Sequence, residues 1–88
     1  MKPLTIETFS ALVRTGSVHR VFLTPYPVID GGGWFLDVDH GDHGMTREVY
    51  TQRGGVRVFK TADAAIKALH ECSYAGSVVV VMKPEWGN

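Results

Sequence analysis

Eighty-eight residues with 44% hydrophobic and 20% charged content describe one α+β domain, residues 1–88, with a single core, and exclude both a second domain and a disordered chain. Nine basic and nine acidic residues cancel to a formal net charge of zero, so no global field draws in nucleic acid or an anionic membrane, and nucleic-acid binding needs a local patch. The one cysteine, Cys72, excludes an internal disulfide and reads as a small buried hydrophobe. The start MKPLTIETF lacks the apolar run of a signal peptide, and the run Val78 to Met82 is too short to span a bilayer. A cytoplasmic protein without membrane contact is expected.

In chain order, Leu4, Ile6, Phe9, Leu12 and Val13 fall at helical spacing around Thr5, a good N-cap, with Gly16 at the stop position, so a helix is predicted over Thr5 to Thr15. Ser17 to Thr24 is rich in Val, Phe and Leu and reads as the first strand, ended by Pro25 and Pro27. Three glycines close the loop Val28 to Gly33. Gly33 to Asp39 alternates as a half-buried second strand, with Trp34, Leu36 and Val38 on one face and Phe35, Asp37 and Asp39 on the other.

Beyond the polar turn His40-Gly41-Asp42-His43-Gly44, Thr46 to Gln52 and Val56 to Lys60 read as a hairpin of third and fourth strands, turning at Arg53-Gly54-Gly55. Thr61 caps a second helix whose inner face is Ala62, Ala65, Ile66, Leu69 and Cys72, with Asp63 in the first turn and a stop near Gly76. Ser77 to Lys83 is an almost unbroken valine run, expected as a strand central to its sheet or covered on both sides. Pro84 to Asn88 reads as a frayed tail. The order α-β-β-β-β-α-β predicts a mostly antiparallel five-stranded sheet with both helices on one face.

Two constellations carry candidate chemistry. Asp37, Asp39, His40, Asp42 and His43 place five possible metal ligands within seven residues. Asp39, His40, Asp42 and His43 can be read as a zinc-type site of a metal-binding protein or metal-dependent hydrolase. The reading preferred over a metal site is a polar turn whose side chains satisfy their own backbone, because a single turn rarely orients three ligands, no HExxH or paired CxxC completes a shell, and no glutamate follows at the calcium-loop offset. The second constellation is an outer sheet face on which strand parity sets Arg20, Phe22, Phe35, Arg57 and Phe59. Aromatics interleaved with arginines suit single-stranded nucleic acid, and an aromatic outer face equally suits a homo-oligomer contact or a protein partner. Gly31-Gly32-Gly33 is no phosphate loop, since no Lys-Ser/Thr follows and a strand comes next. Cys72 falls on an apolar helix face with His70, two residues away, pointing elsewhere, and Ser17 with His19 lacks an orienting acid, so no catalytic residue and no cofactor are expected.

The glycine-led strand GGWFLDV, the strand closing on an Arg-Gly turn in YTQRGGVRVFK, and the helix start FKTADAAIKAL resemble small plasmid-borne proteins of the ParC-family partition-associated group, over residues 32–69. The chain departs from that group in its longer His/Asp-rich turn and in carrying Glu71-Cys72-Ser73-Tyr74-Ala75-Gly76 where Leu-Gly-Ile is usual. No functional residue carries over. The resemblance implies a bacterial cytoplasmic accessory protein of a plasmid or mobile element, acting by binding without catalysis.

Overall fold

The computed structural model describes residues 4–26, 32–41 and 46–81. Seven elements follow one another: β1 (Leu4–Thr5), α1 (Ile6–Arg14), β2 (Val18–Tyr26), β3 (Gly33–His40), β4 (Thr46–Tyr50), α2 (Ala62–Glu71) and β5 (Val78–Val80). The strands form one sheet in the order β1-β4-β3-β2-β5. The expected α+β class with five strands and two helices holds, but the sheet is mixed. β2 and β4 flank β3 antiparallel, whereas β1 joins β4 and β5 joins β2 in parallel.

Both helices begin where their caps direct. The Thr5 hydroxyl accepts from the Thr8 amide at 3.3 Å, and the Thr61 hydroxyl from the Ala64 amide at 3.1 Å, each satisfying a donor that the first helical turn leaves open. Gly16, at φ +73°, closes α1 at the expected position. The second helix stops earlier than Gly76. Cys72 is its C-cap and Ser73 takes the left-handed conformation, φ +63°. The Tyr74 amide then reaches back to the Leu69 carbonyl at 3.0 Å, which is the closing bond of a Schellman turn. Gly76 serves a different need, because a Cβ there would lie 2.7 Å from the Tyr74 hydroxyl oxygen.

One cluster of buried side chains unites the elements. Phe9 of α1 and Ala65 and Leu69 of α2 pack with Leu4, Val21, Leu23, Leu36, Val38, Val49 and Phe59. Both helices thus cover the sheet face presented by Val21, Leu23, Leu36 and Val38. Each such side chain taken fully out of water is worth about 1.5–3 kcal/mol relative to leaving it exposed. Cys72 belongs to this cluster, whereas Ile66, expected beside it, is exposed.

Four further expectations are corrected. β2 runs through Pro25 to Tyr26, and the partners of Trp34 explain why. The Trp34 amide and carbonyl both bond Phe59, on the side away from β2, so the pair Pro25–Trp34 needs no hydrogen bond and the missing proline donor faces outward, beyond the last β5 partner at Leu23. The strand predicted over Val56 to Lys60 is reduced to two isolated bridges, Tyr50 to Val56 and Trp34 to Phe59: the segment leaves the end of β4 to fill the place beside the start of β3. The valine run is an edge strand rather than a central one, with Val79 37% and Val80 53% exposed. β1, two residues before α1, is an addition to the predicted order. The loop over 28–31, the turn residues 42–44 and the tail 84–88 lie outside the described residues.

Two substitutions check this packing. Ser73→Gly removes the cost of a side chain in the left-handed region and is expected to raise stability by about 0.5–1 kcal/mol in urea denaturation. Gly33→Ala would set a Cβ 2.6 Å from Val58 Cγ1 and 3.1 Å from the Phe59 carbonyl oxygen, and is expected to cost about 1–3 kcal/mol.

Candidate binding face

The register of β2 against β3 lays out the sheet face opposite the helices. Arg20 is the partner of Asp39, Phe22 of Asp37, Thr24 of Phe35 and Tyr26 of Gly33. Their neighbours in each strand, Val21, Leu23, Leu36 and Val38, are fully buried on the helix side, so alternation turns the first set away from the core. β4 extends the face, since Asp37 pairs with Glu48 and Asp39 with Thr46. β5 adds Val79 beside Phe22.

Arg20 holds its guanidinium 5.9 Å from the centroid of the Phe22 ring, within range of a cation–π contact. Tyr26 meets Phe35 edge to face, with ring centroids 5.9 Å apart at 88°, the geometry that aromatic quadrupoles favour. Both phenylalanines are half-buried by these neighbours. Among the described residues the face therefore holds one arginine, several rings and three carboxylates, Asp37, Asp39 and Glu48.

Of the five residues expected on this surface, Arg20, Phe22 and Phe35 are brought together; Arg57 and Phe59 are not. Phe59 is bridged to Trp34 and is only 7% exposed within the core. Arg57 stacks over it, 5.1 Å from the ring centroid, beside the start of α1. There it lines a cleft of about 200 Å³ together with Thr5, Glu7, Tyr50 and Gln52, where Gln52 Nε2 donates to Glu7 Oε2. The parity expected for 56–60 fails because that segment is not a regular strand paired along β4.

Sequence reasoning passed over Glu48, Thr46 and Tyr26 as parts of the face. No local motif marks them, since cross-strand register alone brings them there. The metal reading loses its compactness: Asp39 and His40 are consecutive in β3 and point to opposite sides of the sheet, while Asp42 and His43 lie outside the described residues. Among the described residues no group of three or more His, Cys, Asp or Glu side chains is placed to hold a metal. His19 Nε2 is 2.9 Å from the Gly41 carbonyl oxygen and the Ser17 hydroxyl 2.9 Å from that of Thr15, so these two side chains have partners other than each other. Burial raises the Cys72 thiol pKa above its ordinary value, which keeps it protonated and unreactive.

Electrostatics single out Asp37. Its pKa is raised, first by desolvation and then by the facing Glu48 carboxylate, against a hydrogen bond from Thr46 that lowers it. Glu48 accepts from the Tyr50 hydroxyl at 3.1 Å. A carboxyl whose folded pKa lies above its unfolded one favours the folded state when protonated; that contribution is present below the unfolded pKa and lost as pH rises through the folded one. Asp37→Asn is therefore expected to raise the melting temperature near neutral pH, with the gain shrinking as pH falls through the carboxylate range. No protein-family model matches the chain, and no curated protein or solved structure shows significant similarity to it.

Proposed function

We propose that this protein is a non-catalytic interaction module that works by self-association and contact with protein partners through the open face of its sheet, in the bacterial cytoplasm as an accessory of plasmid or mobile-element maintenance. The observation that carries the reading is the face itself. Two long paired strands present Phe22, Phe35 and Tyr26 on the side that no helix of the described residues covers. Helices of the described residues are too short or too polar to cross a membrane.

The composition of the face favours protein over nucleic acid. A groove for single-stranded nucleic acid needs cations along the phosphate path, and here Arg57 is drawn away to α1 while Asp37, Asp39 and Glu48 stand among the rings. Three carboxylates against one arginine repel a polyanion. A mixed, partly apolar surface of both charge signs is the composition of a protein contact.

Light scattering on the untagged protein at low and high salt tests this. A concentration-dependent dimer is expected, and Phe35→Ala is expected to shift it toward monomer while costing about 1–3 kcal/mol of stability, from the half-buried ring area and the lost ring pair with Tyr26. A monomer under all conditions would remove self-association from the reading.

A further inference from the structure

We infer that the open face is the contact between two copies of this chain, packed sheet to sheet about a two-fold axis along the seam between β2 and β3, with Arg20 of one copy over Asp39 of the other. This rests on the self-association reading above and specifies its surface. The seam is the natural centre: β2 and β3 are the longest strands, flanked by β4 on one side and β5 on the other. Rotation about an axis along it exchanges β2 with β3 and keeps each row of side chains in place.

The row of Arg20 and Asp39 then meets its complement. Arg20 lies over Asp39 of the second copy, and the exchange happens twice by symmetry, so four charges alternate in sign around the axis. Phe22 and Phe35 come over Asp37 and Thr24 of the other chain, with their rings side by side in the middle of the contact, and Val79 comes over Glu48, so the carboxyls of Asp37 and Glu48 meet apolar side chains at a desolvation cost that weakens the pair. An axis along β3 is worse, because it would stack Asp37 on Asp37 and Asp39 on Asp39. Pairing through the β5 edge engages only three residues and leaves the aromatic rows uncovered.

Size sets the strength. Eight residues at about 3.4 Å and four strands at about 4.8 Å give a footprint on the order of 500 Å², toward the small end for a specific pair. The dimer is therefore reversible and charge-dependent.

A charge exchange decides the matter. Arg20→Glu and Asp39→Lys are made separately and followed by sedimentation velocity over a range of concentrations, with circular dichroism reporting the fold. Each variant alone is expected to lose at least tenfold in dimer affinity, since each places like charges across the interface. An equimolar mixture of the two is expected to regain the dimer as a mixed pair, because a carboxylate at position 20 then faces a lysine at position 39 and the native pair forms on the other side. The like-charge neighbours created within each chain persist in the mixture, so recovery reports the contact between chains. A wild-type dimer indifferent to both substitutions, or variants that do not recover on mixing, would overturn this interface while leaving self-association standing. A wild-type monomer would overturn both.

Discussion

Eight register pairs between β2 and β3, from Val18 with His40 to Tyr26 with Gly33, set what every other element does. Side chains in a strand alternate with period two, so this one pairing sends Val21, Leu23, Leu36 and Val38 toward the helices and Arg20, Phe22, Phe35, Asp37 and Asp39 away from them. A slip by one residue would exchange the two sets and bury Asp37 where Leu36 belongs. The cost of a buried unpaired carboxylate is large enough to hold the register. The irregularity between Val18 and Arg20 adjusts alternation at one end of β2 without disturbing the rows that follow.

The remaining strands complete the sheet around this pair. β4 pairs with β3 over only three positions, and Phe59 takes the place beside Trp34 that β4 leaves open. The two parallel strands are the short edges, β1 with two residues and β5 with three. Each lies next to a helix in sequence, as parallel strands require longer connections than a hairpin supplies. A two-residue edge is self-protecting, whereas the valines of β5 carry neither charge nor proline.

Legibility followed range of interaction. Thr5, Thr61 and Gly16 act within one helical turn, so both helices and their starts could be read directly, and the alternation in Gly33 to Asp39 marked β3 and the outward side of Phe35. What escaped the sequence depends on partners far along the chain. Leu4 and Thr5 are too few to show a strand pattern. Val56 to Lys60 has strand composition, yet its contacts divide between Tyr50 and Trp34, which turns Phe59 into the core and Arg57 toward α1. Four consecutive valines cannot reveal whether anything lies beside them, and Ser73 holds a conformation that glycine usually marks. On the candidate face, Arg20, Phe22 and Phe35, with Asp37 and Asp39 beside Phe35, followed from alternation, while Glu48 joined the surface only through register. The register adds Glu48 to that surface and sets Arg57 apart from it, which supports the proposed protein contact over the cationic stacking platform, both of them readings of the sequence.

The central proposal is that the side of the sheet left open by the helices of the described residues is covered in the working assembly. Hydroxyl-radical labelling read by mass spectrometry at rising protein concentration measures it residue by residue. Protection is expected to grow at Phe22, Tyr26 and Phe35 while Ile66, exposed on α2, keeps its labelling rate. Concentration-independent labelling of the three rings, or protection appearing at Ile66 instead, would contradict it.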